Sequence, residues 1–446
     1  MTANRTRWPL ALALCSGYFL VLLDVTVVNV ALPQIDGELS AGSAGLAWVV
    51  DAYSVPLAGL LLASGAIGDL VGHRKVVLIG FFGFGVASAA CALAPSIAVL
   101  IAARAVQGVG AALMLPGTLA LLVQDAPGEK ARARLVGIWA AIGGAALPAG
   151  PVVGGLLVQA AGWRTVFFLS VPVIGLALLP LLRSPRRRTT SRSRGTVDWI
   201  GAVLLAVGVS CAVTAIIGAP SGMPAVFLGM GAVVALSGFL VVEHHTKHPL
   251  LPVPSSARGP LGLACLVAGI MNLCTLGTLF LLTQVFQSAL QLSPLAAGLL
   301  TLPAMVPLPF LGAPAGRLGA HLGVWRTSGL GLGLAAAGLL AMAVTVTGTD
   351  LMGLVISLLL WGCGLGFLTP AIVAAALRTT PELPGLASGA SNTSRQTGGA
   401  LGIALFATIA GSADGPDFLQ HAVQLMLGSA ALFAGIGALC LLGRRG

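Results

Sequence analysis

The sequence predicts an all-α membrane protein, and three observations support this class. Hydrophobic residues make up 57% of the 446 residues, whereas charged residues make up only 8%. A soluble domain usually carries about 25% charged residues, so this chain lacks the polar surface that a soluble protein needs. The mean hydropathy is +1.00. The apolar runs are long and unbroken, which is typical of membrane helices, whereas barrel strands alternate over roughly ten residues.

The apolar runs divide the chain into segments of membrane length. Because an α-helix needs about 20 residues to cross the hydrocarbon core, these runs predict fourteen membrane helices. The first run continues past Asp24 to Pro33 without a small-residue cleavage site, so we interpret it as an uncleaved span and not as a signal peptide. The predicted spans are 10–33, 46–70, 76–95, 98–123, 133–159, 165–182, 198–218, 224–242, 261–288, 294–316, 326–347, 351–377, 386–411 and 420–442.

The positions of the basic residues predict the orientation of these spans. With a cytoplasmic N-terminus, 20 of the 23 basic residues fall in inner loops and tails. Arg104 and Arg395 fall within spans, and only Arg164 faces outward. This excess of Lys and Arg on one side is the positive-inside signal, and it places both termini in the cytoplasm. It also accounts for the net charge of +10, so no nucleic-acid partner is expected.

Two six-helix halves and an inserted pair of helices are the predicted organisation. Residues 316–323 repeat the glycine spacing of residues 65–72, with Ala320 in place of Asp69, which indicates an internal duplication. Halves related in this way are expected to form a cavity where they meet. The predicted domains are an N-terminal half at 1–182, a basic loop with two inserted helices at 183–260, and a C-terminal half at 261–446.

The inserted segment at 198–242 is apolar and has basic loops on both sides. Because both loops belong on the inner side, the number of crossings between them is even. We therefore predict two membrane helices that turn at 218–224, a stretch rich in Gly and Pro. The alternative is a re-entrant or surface-lying hairpin.

Residue spacing argues against several other classes of protein. The seven cysteines are scattered singly through apolar spans, so neither a disulfide framework nor a zinc site is predicted. His244, His245 and His248 cluster in an inner loop, where a solvated loop is a simpler interpretation than a metal site. A membrane enzyme would need a nucleophile, a metal or paired carboxylates at one membrane face, and none is visible. We expect no cofactor, no metal and no enzymatic activity.

A charged turn rich in glycine lies between the second and third spans. Residues 65–75 read GAIGDLVGHRK. The spacing of Gly65, Asp69, Gly72 and Arg74 resembles the loop between helices 2 and 3 of the major facilitator superfamily of secondary transporters. The resemblance implies a transporter with the major facilitator fold. It also implies a conformational latch, in which Asp69 accepts hydrogen bonds from helix ends or cations across the halves.

Further motifs extend this resemblance over nearly the whole chain. The fourth span reads RAVQGVGAA from Arg104, which looks like the intramembrane arginine motif of the superfamily. The first span reads LDVTVVNVALP and the second WVVDAYS; both resemble the fourteen-helix drug:proton antiporters, as does GLASGASNTSRQTGGALG at 385–402. The fifth span is similar to the antiporter pattern, whose small residues allow close helix packing and whose proline bends the helix. The residues of that pattern are Gly137, Gly150, Pro151, Gly154 and Gly155.

Ionisable residues within the spans are the candidates for proton coupling. At ~1.5 Å per residue from the outer ends, Asp24 lies roughly 13 Å deep, Asp51 roughly 7 Å and Arg104 roughly 9 Å. A charge at mid-membrane is costly, so such residues usually face a cavity or pair with one another. Burial favours a protonated carboxyl group, whereas a nearby arginine favours the ionised form. A site that alternates between these surroundings can therefore carry a proton.

These patterns together predict a proton-coupled exporter that works by alternating access. The second half has no carboxylate within its spans, so Arg395 and Gln396 are the candidate substrate contacts, and a neutral or anionic amphipathic compound such as an antibiotic is favoured. The alternatives are a multidrug exporter of lipophilic cations and a proton-coupled permease for a small metabolite. The expected partners are the substrate, protons and the lipid bilayer, with a monomer as the functional form in a bacterial plasma membrane.

Overall fold

The computed structural model describes residues 7–124, 129–183, 198–219, 222–246, 249–250, 253–348, 350–380 and 384–442. Every regular element in this part of the chain is helical, which confirms the predicted all-α class. The chain divides into two compact units, Met1–Leu251 and Pro252–Gly446, which we call unit 1 and unit 2.

Unit 1 contains nine described helices. Most are long enough to cross a membrane, whereas α6 is a single short turn that leads into α7. Their bounds are α1 Arg7–Leu39, α2 Gly42–Val71, α3 His73–Ala92, α4 Ile97–Val123, α5 Glu129–Ala161, α6 Arg164–Phe168, α7 Ser170–Arg183, α8 Trp199–Ile217 and α9 Met223–His245.

Unit 2 contains seven described α-helices and one π-helical turn. The π turn, Val285–Ala289, continues directly from α10. The bounds of the α-helices are α10 Ser255–Gln284, α11 Pro294–Met305, α12 Pro307–Leu322, α13 Val324–Thr345, α14 Leu351–Thr379, α15 Pro384–Ala410 and α16 Phe418–Leu442.

Thirteen helical stretches of the described chain are long and apolar enough to cross a membrane. They correspond to thirteen of the fourteen predicted spans. The remaining span, predicted at 386–411, coincides with α15, which is 27 residues long. This helix is less apolar than the others because it contains the polar run SNTSRQT at 391–397.

Two of the predicted spans are each covered by two consecutive helices. The span at 165–182 is covered by α6 and α7, which meet at Leu169, and the span at 294–316 by α11 and α12, which meet at Val306. Both junction residues keep helical backbone angles, with φ −51° and ψ −39° at Leu169 and φ −59° and ψ −39° at Val306. Pro307 has no backbone N–H to donate, so one helical hydrogen bond is missing at the second junction. Each stretch remains a single candidate membrane span, Arg164–Arg183 and Pro294–Leu322, as the apolar pattern predicts.

The inserted segment forms two helices that belong to unit 1. Helix α8 packs on α2, where a methyl group added at Gly59 would lie 2.7 Å from Cα of Ala206. Helix α9 packs on α8, and Gly208 of α8 makes room for the side chain of Leu236. Both helices have the length and apolar composition of a membrane span.

The two units use the same order of helix packing. In unit 1, α1 packs on α5, and α4 packs on α2 and α3. In unit 2, α10 packs on α15, and α14 packs on α11, α12 and α13. Gly72, between α2 and α3, has φ 98°, and Gly323, between α12 and α13, has φ 89°. Both turns thus use a backbone conformation that favours glycine.

Candidate functional site

A pair of opposite charges is buried within unit 1. Asp24 lies on α1 and Arg104 on α4, and Nη1 of Arg104 donates a hydrogen bond to Oδ2 of Asp24. The exposed fraction is 4% for Asp24 and 0% for Arg104. Because a charge removed from water is costly unless it is paired, each of these groups makes the burial of the other possible.

Gln107 connects the two charges. Its Oε1 accepts a hydrogen bond from Nη1 of Arg104 at 2.7 Å, and its Nε2 donates to Oδ1 of Asp24 at 3.1 Å. Arg104 and Gln107 are three residues apart, a spacing that places both side chains on one face of α4. In addition, Nε of Arg104 donates to the carbonyl oxygen of Val49 on α2 at 2.8 Å. Three helices therefore hold the guanidinium group in one orientation.

Aromatic rings cover the guanidinium group. The Cζ atom of Arg104 lies 4.4 Å from the ring centroid of Tyr53 on α2 and 5.6 Å from that of Phe167 on α6. Both distances are within the range of cation–π attraction. The hydroxyl group of Tyr53 donates to the carbonyl oxygen of Val21 at 3.0 Å, which fixes its ring between α1 and α2.

Asp51 is buried separately from this pair. It lies on α2 and its exposed fraction is 0%. Neither carboxylate oxygen of Asp51 has a hydrogen-bond partner among the described residues. The structure thus brings together Asp24 and Arg104 of the predicted proton-coupling residues, and it does not join Asp51 to them.

Some contacts of the pair lie outside the sequence motifs. Ser88 touches Gln107 and Phe167 touches Arg104, yet neither is ionisable and each lies far from its partner along the chain. Val49 and Tyr53 both fall within the WVVDAYS stretch, but Val49 contributes only its carbonyl oxygen, whereas Tyr53 is one of only two tyrosines in the protein. A polar aromatic residue is unusual in an apolar span, so the sequence could have indicated Tyr53 as a site residue.

The predicted latch begins at a tight turn. Gly72 separates α2 from α3, and its N–H donates to the carbonyl oxygen of Gly68 at 2.9 Å. A methyl group at Gly68 would collide with the ring of His73, so glycine is needed at this position. Gly65 faces α4, where a methyl group would lie 3.9 Å from Cβ of Pro116.

Arg74 connects this turn to the end of another helix of unit 1. Its Nη2 donates to the carbonyl oxygens of Leu181 at 3.1 Å and Leu182 at 2.9 Å, at the C-terminus of α7. A cation at this end of a helix is stabilised by the helix dipole. Asp69 lies in α2, but its side chain is outside the described part of the structure. The role of Asp69 as a latch stays a prediction.

The predicted antiporter residues of α5 pack against α1 next to Asp24. A methyl group at Gly150 would collide with Thr26, and one at Gly154 would lie 2.8 Å from the carbonyl oxygen of Val27. Pro151 lies within α5, and Gly155 is also buried. Gly137 differs from the others, because a methyl group there would meet nothing within 4 Å.

The polar run of α15 faces α10 within unit 2. Nε of Arg395 lies 3.5 Å from Oδ1 of Asn272, and Oγ of Ser394 donates to the carbonyl oxygen of Cys265 at 2.6 Å. The two helices are in close contact here, since a methyl group at Gly398 would overlap the backbone of Gly269. Arg395 and its neighbour Gln396 are both partly exposed. Asn272 was not predicted as a site residue, because a single Asn in an apolar span has no distinctive spacing.

Ionisable residues buried between the helices of a polytopic membrane protein are typical of transporters, in which they mark substrate and ion pathways. The comparison with known sequences gives the family. Residues 14–403 match the Major Facilitator Superfamily. This chain belongs to the major facilitator superfamily, and this family indicates a transporter.

The most similar curated proteins include two from Streptomyces. The tetracenomycin C resistance and export protein of Streptomyces glaucescens is 34% identical over 92% of this chain and 77% of that protein. The methylenomycin A resistance protein of Streptomyces coelicolor is 34% identical over 97% of this chain and 92% of that protein.

Solved structures share the fold at low sequence identity. The nucleoside transporter NupG has a TM-score of 0.70 and 10% identity, and the match covers 97% of this chain and 99% of that chain. The xylose transporter XylE from E. coli has a TM-score of 0.65 and 14% identity, and the match covers 98% of this chain and 97% of that chain.

Proposed function

We propose that this chain is a proton-coupled exporter of amphipathic small molecules, such as antibiotics, and that it works by alternating access. The observation that carries the proposal is the buried pair of Asp24 and Arg104. Over most of its length, this chain is similar to proteins named for antibiotic resistance and export, and this similarity supports the outward direction of transport.

The chemistry of the pair suits proton exchange. While Asp24 is ionised, Arg104 and Gln107 stabilise its charge through hydrogen bonds to both carboxylate oxygens. A proton on Asp24 removes the attraction to Arg104, so the guanidinium group then needs another acceptor. Arg104 already has two others, Oε1 of Gln107 and the carbonyl oxygen of Val49, and its Nη2 has no acceptor among the residues that the structure describes. Protonation of Asp24 can therefore change how α1 is held against α4.

Arg395 is the proposed substrate contact in unit 2. Its side chain is partly exposed, and one of its contacts is Asn272, a neutral amide 3.5 Å away. A guanidinium group offers a planar set of donors that fits a carboxylate or carbonyl group. We therefore assign a neutral or anionic amphipathic substrate, with Gln396 as a neighbouring polar contact.

One observation favours a second candidate, an exporter of lipophilic cations. Asp51 carries two oxygens with no hydrogen-bond partner in the described part of unit 1, so a cationic substrate that reached it would find an available carboxyl group. A proton-coupled permease for a small metabolite would use the same proton site in the opposite direction.

The proposed setting is a bacterial plasma membrane with both termini in the cytoplasm, as the distribution of basic residues indicates. In this setting the inward proton gradient drives export. The proposed functional form is a monomer, with protons, substrate and lipid as its partners.

A susceptibility panel tests the proposal. A drug-sensitive bacterial host is compared with and without the gene against tetracenomycin C, methylenomycin A and the lipophilic cation ethidium. The proposal expects lower susceptibility to at least one neutral or anionic compound, and this protection should disappear when a protonophore collapses the gradient. Protection against ethidium alone would favour the second candidate. Equal susceptibility to all compounds would leave export unsupported and favour the permease.

A further inference from the structure

The hydrogen bonds of Gln107 extend the buried charge pair to a third helix. Nε2 of Gln107 donates to Oγ of Ser88 on α3 at 3.0 Å, as well as to Oδ1 of Asp24 at 3.1 Å. Its Oε1 accepts from Nη1 of Arg104 at 2.7 Å and from Sγ of Cys91 at 3.7 Å. Both amide protons and both acceptor positions of the Gln107 side chain are therefore used.

This pattern determines which end of the Gln107 amide faces Asp24. In the reversed orientation, Oε1 would face the Asp24 carboxylate, another acceptor, and Nε2 would face the Arg104 guanidinium group, another donor. Ser88 is 0% exposed, and within the described chain its hydroxyl group makes no side-chain hydrogen bond other than the one from Gln107. Without that hydroxyl group, one N–H of Gln107 would be buried with no acceptor, which would weaken the observed orientation.

We propose that Ser88 is a positioning residue of the proton site, whose hydroxyl group holds the Gln107 amide in the orientation that donates to the Asp24 carboxylate. Through this bond Ser88 stabilises the ionised form of Asp24 and sets the pH range in which Asp24 exchanges its proton. The inference rests on the proposed proton coupling through Asp24. It concerns a residue that belongs to none of the sequence motifs.

The surroundings of the pair offer no substitute for Ser88. Besides Asp24 and Arg104 themselves, the titratable groups next to the pair are Tyr53 of α2 and Cys91 of α3. Asp51, also on α2, makes no hydrogen bond to the pair, and α5, α6 and α7 contribute no titratable group there in the described part of unit 1. The other side chains around the Gln107 amide already form hydrogen bonds or act as donors. None of them would therefore replace the Ser88 hydroxyl group as an acceptor for Nε2 of Gln107.

The test follows the carboxyl group of Asp24 by infrared spectroscopy of the purified full-length protein in lipid nanodiscs. The difference between wild type and Asp24→Asn isolates the C=O stretch of the protonated group, which is then followed against pH without any substrate. In Ser88→Ala we expect the midpoint of this titration to move upward by about half a pH unit, roughly a threefold change in proton affinity.

Ser64→Ala is the matched control. The Ser64 hydroxyl group on α2 is also buried, and it donates to the carbonyl oxygen of Ala112 on α4 at 2.6 Å, but no hydrogen bond links it to Asp24. This variant removes a buried serine hydroxyl group that bridges two helices of the same unit. Its titration midpoint should equal that of wild type.

Ser88→Cys separates the hydrogen bond from packing, because it keeps a side chain at this position while sulfur is a weak acceptor. An upward shift in both Ser88 variants supports the inference, and the Cys variant alone suffices if the Ala variant does not fold. A shift in Ser88→Ala alone, or in neither variant while Asp24 still titrates, overturns the inference and leaves the proposed function intact. If no Asp24 band responds to pH, proton exchange at Asp24 fails, and the inference fails with it.

Discussion

Unit 1 and unit 2 share an order of helix packing but differ in how they hold charge within the membrane. In unit 1, Arg104 is fully buried and bonds to Asp24 on a neighbouring helix. In unit 2, Arg395 is partly exposed, and none of α10–α16 contains an Asp or Glu. A buried pair suits proton exchange, because protonation of Asp24 removes its attraction to Arg104, whereas a partly exposed arginine suits contact with a ligand. We therefore propose that the two units carry two different kinds of site.

The largest difference should appear when each arginine is removed. Arg104→Ala leaves Asp24 buried without its cation, and the loss of one partner of a buried pair costs about 3–5 kcal/mol. Arg395→Ala removes a partly exposed side chain and leaves no buried carboxylate behind, because none of α10–α16 contains an Asp or Glu, so its cost should be below about 1 kcal/mol. Thermal unfolding of the purified variants measures both values. Equal losses of stability would contradict the distinction between the two arginines.

The sequence was sufficient for the fold class and for part of the site. The membrane spans and the ionisable residues within them follow from hydropathy and charge, because the bilayer imposes strong and local requirements on each helix, whereas the orientation stays a prediction. Two further contacts of this site could not be predicted, since Val49 offers Arg104 only its backbone carbonyl oxygen, and Ser88, which accepts from Gln107, is a small residue on another helix. The separation of Asp51 from Asp24 depends on how α2 is rotated against α1. The hydrophobic periodicity of the sequence does not predict this rotation.

Glycine substitutions in α5 and α15 test how closely the helices pack in the two units. A methyl group at Gly402 of α15 would lie 2.8 Å from Cα of Leu273, and such overpacking costs about 1–3 kcal/mol. A methyl group at Gly137 of α5 meets nothing within 4 Å. Gly137→Ala should thus be neutral or stabilise by up to about 1 kcal/mol, because alanine favours a helix over glycine. Unfolding temperatures that fall equally in Gly402→Ala and Gly137→Ala would refute the close contact of α15 with α10.

Substrate affinity tests the role assigned to unit 2. Arg395→Lys keeps the charge but loses the planar arrangement of donors. For an anionic or carbonyl-bearing substrate we expect the dissociation constant to rise about tenfold, equivalent to roughly 1.4 kcal/mol. Arg326→Lys, at the start of α13, is the control and should bind as wild type does. An unchanged dissociation constant in Arg395→Lys would leave this arginine a structural role only.

The inserted helices, α8 and α9, distinguish unit 1 from unit 2, and substitutions at the ends of α9 should have the smallest effect on activity. Met223 lies at the start of α9 and His245 at its end, and both side chains are exposed. In a background without other cysteines, Met223→Cys should react with an impermeant thiol reagent added outside cells, and His245→Cys should not. Equal labelling of the two positions would favour the surface-lying hairpin over two crossings.

The central claim is that Asp24 carries the coupled proton, and Asp24→Asn tests it most directly. Efflux of an exported compound is measured in vesicles under an imposed pH gradient. Asparagine has nearly the same shape as aspartate but cannot take up the proton, so we expect gradient-driven transport to fall to background while the protein stays inserted. Asp36→Asn, on the same helix, is the control, because Oδ1 of Asp36 accepts from the N–H of Gly42 outside the charge pair. Transport at the wild-type rate in Asp24→Asn would contradict the account and move the proton site elsewhere, with Asp51 as the next candidate.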